Sequence, residues 1–357
     1  MSFIKDLFDK IFNKPKMLNS GYSTQHSNYG KNNRNWILNN YRESSGSPSQ
    51  LDVDIQRFLH SYYNTVNNSP RAYPSNCYNL GYFSLVTMNA KPVTEQESLH
   101  NQQAEKSLLS KLRNTKKFKL ITQGPNYRPI FYHIQTSDLD SPENKDVRRI
   151  YINCNSGHIA ELAQALLAYN KNPNFYIKFH ANCNNVRNPR GEKIVMYCNK
   201  NDINYMIQLL NYIKGKHPIF FQQTPSSLPF LQKLNDFSSI SREPLSNIYT
   251  CLNGKKIQVA KSTNSFLSIL LRDSYNATVN EIARNDPKIA VFSQGKYNEI
   301  LGIKYFPYIN RKYHDYLINS MKAKMQVLSR KNDLYIEGLF SQIKTPNQVN
   351  PSYNLQR

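Results

Sequence analysis

The chain has 357 residues, 12% of them aromatic, which is enough to bury the core of one large domain or two ordinary ones. Its mean hydropathy is −0.64, and no stretch approaches the roughly 18 apolar residues that a membrane-spanning helix needs. We therefore expect no transmembrane segment. Five cysteines without a CxxC pair indicate reduced thiols rather than a disulfide framework or a zinc site.

The formal net charge of +22 is the strongest compositional signal. A positive field of this size favours anionic partners such as nucleic acid, anionic lipid, a phosphoprotein, or an acidic secretion chaperone or peptide. The basic residues are spread along the chain, and no zinc-finger, helix-turn-helix or RNP motif accompanies them. We therefore expect no sequence-specific binding of nucleic acid.

The N-terminal region, residues 1–50, is predicted to be an arm outside the globular part. Residues 1–13 carry apolar side chains at helical spacing and indicate a short amphipathic helix. Residues 14–50 are rich in Asn, Ser and Gly and predict disorder. Such an arm suits a secretion or targeting segment, and an ordinary mobile terminus fits it equally well.

A globular pattern begins at Leu51. The predicted elements, in chain order, are helices over 51–66 and 93–114, strands over 128–135 and 148–154, a helix over 156–170, strands over 174–180 and 192–198, a helix over 202–215, a hairpin over 248–260 with Asn253-Gly254 at its turn, and helices over 264–285 and about 310–330. Strands cluster centrally with helices around them. This order predicts an α+β fold with a central, mainly antiparallel sheet flanked by helices.

The predicted division of the chain follows from these elements. After the arm of residues 1–50, residues 51–290 form the α+β domain, and residues 291–345 form a C-terminal helical extension. Residues 346–357 are a tail that we expect to be disordered.

Two predicted strands place basic residues on a polar face. Alternation along the strand 148–154 puts Arg149, Tyr151 and Asn153 on one face and apolar residues on the other. In the strand 174–180, Tyr176, Lys178 and His180 share a face in the same way. The two strands, if they are neighbours, present these side chains together.

Two further arginines follow in the loop after the second strand. Arg187 and Arg190 lie beside Pro189 and Gly191, which can fold the chain back over the polar face. Guanidinium groups bind phosphate oxygens in pairs, so this set predicts a phosphate site. The alternative is an antiparallel sheet whose solvent face is simply basic, as is common in so cationic a chain.

Other chemistry has little support in the sequence. No glycine-rich phosphate loop, HExxH, GxSxG or kinase motif is present. The histidines are scattered, and for His133, His158, His180 and His217 we favour an ordinary surface or core role over a ligand or an acid–base role. We therefore predict neither a metal site nor a cofactor.

The stretch "FYHIQTSD…RRIYINCNSGHIAELAQALL…FYIKFHANCNNVRNPRGEKIVMYC" resembles the HopA-type effector family of plant-pathogen type III secretion. It also resembles the related lyase component of class V lanthipeptide synthetases. The resemblance covers about residues 50–290. In this group an R-x-Y-x-N strand, a helix, a strand bearing a lysine, and an arginine before a V-x-Y strand follow in the order seen here.

The group is distantly similar to the phosphothreonine lyases of animal-pathogen effectors. Those enzymes have a K-x-H strand, then a catalytic lysine, then a phosphate-binding arginine twelve residues later, and Lys178 and Arg190 reproduce that spacing. Arg149-x-Tyr151 stands where K-x-H is expected, so the general acid implied here is a tyrosine instead of a histidine.

The resemblance implies metal-independent β-elimination of phosphate from phosphothreonine or phosphoserine in a polypeptide, by a bacterial effector secreted into a host cell. It makes Lys178 the base and Tyr151 the acid. The implied phosphate-binding residues are Arg149, Arg190, Arg187 and Arg272, with support from His180, Tyr197 and Asn153. A lysine base must be neutral, so its pKa must fall from about 10.4, and neighbouring arginines and burial both act in that direction.

Three other functions stay open. One is a basic protein that binds nucleic acid or an anionic membrane surface, for which Arg149 and Lys178 have no selective importance. The same pocket could hold a phosphate-bearing ligand or host protein without turnover. Alternatively, the chain could be the lyase component of lanthipeptide biosynthesis, with a precursor peptide as substrate and the bacterial cytoplasm as its location.

Overall fold

A computed structural model of the chain describes residues 48–68, 77–88, 90–91, 93–114, 118–121, 131–136, 147–172, 175–180, 190–222, 228–286, 288–289 and 299–339. The predicted disordered arm and the predicted tail lie outside these residues, except for residues 48–50 at the start of the first helix. Residues Pro48–Arg357 form one compact unit. The division at residue 290 stays a prediction.

Eight α-helices occur in the described part of the chain. They are α1 (Gln50–Asn67), α2 (Cys77–Thr87), α3 (Glu95–Arg113), α4 (Ile159–Tyr169), α5 (Ile203–Lys216), α6 (Thr263–Asn285), α7 (Glu299–Lys304) and α8 (Phe306–Lys331). Capping boxes start α1 and α3, where Ser49 pairs with Asp52 and Thr94 with Glu97. Each box satisfies backbone N–H groups that have no partner inside the helix. No described helix has the length and apolarity to cross a membrane.

Nine β-strands occur in the same residues. They are β1 (Phe118–Ile121), β2 (Phe131–Thr136), β3 (Val147–Ile152), β4 (Tyr176–His180), β5 (Ile194–Asn199), β6 (Gln232–Asn235), β7 (Ser238–Arg242), β8 (Ile248–Thr250) and β9 (Lys256–Gln258). The first seven form one sheet in the order β1-β2-β4-β5-β3-β7-β6, and β8 and β9 form the predicted hairpin. Each described pairing is antiparallel. The predicted α+β fold with a central antiparallel sheet is confirmed.

Helices cover both faces of the large sheet. One face is apolar: Ile150, Ile177, Phe179 and Met196 are fully buried in a cluster with residues of α4 and α5. The opposite face packs toward α1, α6 and α8, and its buried residues include Tyr151 and Val195. Because side chains alternate along a strand, the same strands supply both layers.

Candidate functional site

The face toward α6 carries two rows of side chains that run across the strands, because directly paired residues of antiparallel strands share a face. The first row is His133, Lys178, Val195, Tyr151 and Ser239. The second row is Gln135, Tyr176, Tyr197, Arg149 and Ser241. We call these two rows the polar face.

The strands that bear Lys178 and Arg149 are not neighbours. β5 lies between β4 and β3, so Lys178 and Tyr151 stand on either side of Val195 in the first row. Two strand spacings put their Cα atoms about 10 Å apart. The Val195 side chain is shorter than both flanking side chains. The surface of the polar face is therefore depressed between Lys178, the predicted base, and Tyr151, the predicted acid.

Lys178 lies half-buried on this face, with its Nζ 4.8 Å from the centre of the Phe131 ring. Burial lowers the pKa of its ammonium group to about 8, and the charges of Arg149 and Arg190 act in the same direction. Glu192 acts in the opposite direction, toward a higher pKa. A pKa near 8 leaves about a tenth of the molecules with a neutral amine at pH 7.

Arg190 lies just before β5, at the edge of the polar face. Its Nη2 donates to Tyr82 Oη at 2.9 Å and also contacts a carboxylate oxygen of Glu192. Its Cζ lies 5.1 Å from the centre of the Phe131 ring, the ring that Lys178 also contacts. Burial acts to lower the pKa of Arg190, but Tyr82 and Glu192 outweigh it and the pKa is raised. Arg190 therefore stays charged.

The chain around Arg190 is held by packing and by a backbone hydrogen bond. Gly191 is buried, and its N–H donates to Val86 O at 2.7 Å, which ties the residue to the end of α2. A Cβ atom at this position would lie 3.2 Å from Leu228 Cδ2. On the other side, Asn264 Nδ2 donates to Glu192 Oε2 at 2.8 Å, so the first turn of α6 fixes the carboxylate that contacts Arg190.

Arg149 is the second buried cation of the polar face. It forms an ion pair with Glu243, and both side chains are less than a fifth exposed. Its Cζ lies 5.0 Å from the centre of the Tyr197 ring, its partner across β3 and β5. Burial acts to lower the pKa of Arg149, and Tyr151, Tyr197 and Glu243 outweigh it, so the pKa is raised. Three cations therefore face two carboxylates here, Glu192 and Glu243.

Four aromatic groups complete the polar face. Burial raises the pKa of Tyr151, and the charge of Arg149 offsets part of that rise, so its hydroxyl is protonated at neutral pH. Its Oη is buried near Arg149 and Ser241, but among the described residues no contact to it meets hydrogen-bond geometry. Burial also raises the pKa of Tyr197. The ring centres of Tyr176 and Tyr197 lie 4.5 Å apart with the rings tilted at 49°, and the Tyr176 hydroxyl hydrogen-bonds with His133 Nδ1.

The remaining predicted residues lie as follows. Asn153 is buried just beyond β3, where its backbone N–H donates to Phe237 O at 2.8 Å. Arg272 lies on α6, with its Cδ and Cγ packed on Gly81 of α2, and its charge acts on Tyr249 and Cys251. These contacts place Arg272 beside α2 and β8. Arg187 and the side chain of His180 lie outside the described residues.

The structure adds residues that the sequence analysis omits. Glu192 and Glu243 pair with the two arginines, and Tyr82 and Phe131 contact Arg190. Arg190 and Glu192 are two residues apart, so in an extended chain they share a face, and this alternation could have predicted their contact. Glu243 follows β7, a strand absent from the predicted elements, and Tyr82 lies on α2, an equally absent helix.

The HopA1 effector protein family matches residues 122–250, a span that contains Arg149, Lys178, Arg190 and Glu243. A comparison with curated proteins finds no match.

Two solved structures are similar to this chain. The first is an effector protein from Pseudomonas syringae pv. tomato strain DC3000, with a TM-score of 0.40, 12% identity, and coverage of 62% of this chain and 87% of that one. The second is an effector protein from Pseudomonas syringae pv. syringae strain 61, with a TM-score of 0.44, 12% identity, and coverage of 78% of this chain and 94% of that one. The resemblance to the HopA-type effector family is confirmed by the family match: residues 122–250 of this chain are similar to the HopA1 effector protein family.

Proposed function

We propose that this chain is a secreted bacterial effector that removes phosphate from phosphothreonine or phosphoserine in a host polypeptide by β-elimination. The match to an effector family over residues 122–250 supports the first part. The observation that carries the second part is the half-buried Lys178, whose pKa is lowered to about 8 on a face that also holds Arg149 and Arg190.

In the proposed reaction the neutral amine of Lys178 removes the proton from Cα of the phosphorylated residue. The electron pair of that C–H bond forms the Cα=Cβ double bond, and the Cβ–O bond breaks with its electrons going to the phosphate oxygen. Tyr151 donates a proton to the departing oxygen. Its raised pKa keeps this proton available at neutral pH. The proton taken up by Lys178 then passes to solvent and Tyr151 regains a proton from solvent, so both residues return to their starting states and the reaction consumes no water, metal or cofactor.

Arg149 and Arg190 would hold the phosphate. Each guanidinium has five N–H donors, and Glu192 and Glu243 occupy only part of them. Among the described residues, the buried Nε of Arg190 has no hydrogen-bond partner. The carboxylates orient the two guanidiniums, and donors held in place before the reaction stabilise the negative charge that develops on the phosphate.

The test is incubation of the full chain with a phosphothreonine peptide, followed by mass spectrometry. Elimination gives a peptide lighter by one phosphoric acid, and the new alkene adds a thiol reagent. We expect Lys178→Met to lower the rate by about 10²–10⁴-fold. The matched control is Lys233→Met, because Lys233 belongs to the same sheet but is exposed on the edge strand β6.

Two outcomes contradict the proposal. A product that keeps its hydroxyl, lighter by HPO3 only, would indicate hydrolysis. A rate in Lys178→Met equal to that of the parent would exclude this lysine as the base.

The secretion part is tested separately, by fusing the chain to a reporter enzyme that is active only in host cytosol.

A second candidate function, binding of a phosphorylated ligand without turnover, has an observation of its own. Both arginines are already paired with carboxylates. The three cations Lys178, Arg149 and Arg190 and the two carboxylates of Glu192 and Glu243 therefore carry a net charge of only about +1 at neutral pH. A site of this kind can bind a phosphopeptide and leave it intact. Saturable binding by the parent with an unchanged peptide mass would favour this function over elimination.

A further inference from the structure

A second group of chemically capable side chains lies on the other side of the sheet, where α3 meets the start of α4. It consists of His100 on α3, His158 in the 3-10 turn before α4, and Glu161 in the first turn of α4. One nitrogen of each imidazole and one carboxylate oxygen all lie within 4.8 Å of one another. Among the residues that the structure describes, this is the one group of three His, Cys, Asp or Glu side chains with such spacing.

The spacing between His100 and Glu161 fits a common ion. His100 Nε2 lies 3.3 Å from Glu161 Oε1. Zinc bonds to nitrogen and oxygen of about 2.0–2.2 Å at tetrahedral angles separate neighbouring ligand atoms by about 3.3–3.5 Å. His158 Nδ1 lies against the other carboxylate oxygen, Oε2. The two imidazole rings are 4.9 Å apart in an edge-to-face arrangement, and a nitrogen of each ring faces the Glu161 carboxylate.

Contacts outside the triad hold its three side chains in place. Asn101, next to His100, accepts a hydrogen bond from Ala160 N at 2.9 Å, and this buried contact joins α3 to the first turn of α4. Asn155 Oδ1 accepts from Gly157 N at 2.8 Å and shapes the turn before His158. A Cβ atom on Gly157 would lie 3.4 Å from Glu97 Cα, so the turn and α3 are in close contact. The triad therefore sits on two elements fixed by other residues.

We propose that His100, His158 and Glu161 bind a divalent transition metal of the zinc type. Two imidazoles and one carboxylate suit Zn²⁺, whereas Mg²⁺ and Ca²⁺ prefer oxygen ligands. Three protein ligands leave a fourth coordination position open. The side chain of His100 is 47% exposed and that of Glu161 is 35% exposed, so the open position faces solvent and the ion has a route of entry. The bound ion would join α3 to α4 on the side of the sheet opposite Lys178.

The site does not depend on the proposed lyase activity. Its ligands come from α3 and from the start of α4, and both elements pack on the apolar face of the sheet. Position 100 is too far along the chain from positions 158 and 161 for the three to form a recognisable zinc motif. Only the packing of α3 against α4 brings them together.

The experiment uses the full chain without an affinity tag and titrates it with Zn²⁺ alone by calorimetry. The parent should bind one ion per chain, and Co²⁺ in its place should give the visible absorption of a tetrahedral site. His100→Ala and Glu161→Gln should each weaken binding at least about tenfold and abolish that absorption. His100 is exposed and Gln has the shape of Glu, so both variants keep the local packing.

The matched control is His314→Ala. His314 Nδ1 lies 2.9 Å from Asp315 Oδ1, so this histidine also faces a carboxylate, but within the described part of the chain it belongs to no group of three such side chains. Binding by this variant should equal that of the parent, and zinc should raise the unfolding temperature of both by mass action. Absence of saturable zinc binding by the parent overturns the proposal and leaves a hydrogen-bonded helix start. Binding that survives unchanged in both triad variants also overturns it.

Discussion

The two faces of the large sheet use the same strands and bury their side chains by different means. On the face toward α4 and α5, Ile177, Phe179 and Met196 are buried by apolar contact alone. On the polar face, Arg149 and Arg190 are buried against carboxylates and aromatic rings, and the half-buried Lys178 lies over the Phe131 ring. Burial of a charge costs free energy unless it is paired. The apolar face is therefore a source of stability, and the polar face holds reactive groups at the expense of stability.

The largest effect should come from the apolar face. Phe179→Ala removes a ring with no exposed surface, which lies 5.2 Å from the ring of Tyr132. We expect it to lower the free energy of unfolding by about 3–5 kcal/mol through lost burial and a residual cavity. Denaturant unfolding measures this. A loss below about 1 kcal/mol would mean that this face is not the main core of the sheet.

Breaking an ion pair on the polar face should lower the free energy of unfolding nearly as much as Phe179→Ala does. Arg190→Met leaves Glu192, whose side chain is 3% exposed, without its cation. We expect a loss of about 3 kcal/mol or more, because the carboxylate stays buried and uncompensated. The double variant Arg190→Met/Glu192→Gln should recover much of the loss. If it recovers none, the contribution of Arg190 comes from packing and not from charge.

Substitution of Lys178 should raise the free energy of unfolding, whereas the two substitutions above lower it. The pKa of Lys178 is about 8 in the folded chain against 10.5 for an ordinary lysine, so between those values the unfolded chain binds more protons and stability rises with pH. Below pH 8 the full cost of charging the buried amine is present, at most about 3 kcal/mol. Lys178→Met should therefore be more stable than the parent at pH 7, with a smaller difference at pH 10. Equal stability of the two proteins across this range would show that Lys178 is not desolvated.

The smallest effect concerns the hydrogen bond from Arg190 to Tyr82. Tyr82→Phe removes this 2.9 Å contact and keeps the ring, whose centre lies 5.5 Å from Arg190 Cζ. A loss of about 1.5–3 kcal/mol in the free energy of unfolding is expected for a hydrogen bond to a charged group. Thermal unfolding of Tyr82→Phe beside the parent measures it. No change would leave Glu192 as the group that positions Arg190.

Most of the sheet was predictable because its strands alternate clearly. β3, β4 and β5 each carry apolar residues at every second position, and the predicted α4 and α5 have clear apolar stripes. β7 and β6 were not predictable in this way, since "SSISR" and "QKLN" offer serines and polar residues where a strand pattern needs apolar ones. α2 contains Gly81, a weak helix former. A Cβ atom at this position would lie 2.4 Å from Arg272 Cδ, so a larger residue here would displace the Arg272 side chain.

By itself the sequence determined which side chains share a face of each strand, because alternation is a local property of an extended backbone. It also determined that Lys178 and Arg190 stand twelve residues apart. Only the tertiary structure decided that β5 separates β4 from β3, and that carboxylates from the start of β5 and the end of β7 meet the arginines. Strand order and ion pairing depend on contacts between distant residues. The free energy of such contacts comes from burial and charge neutralisation in the assembled fold, and local sequence does not contain it.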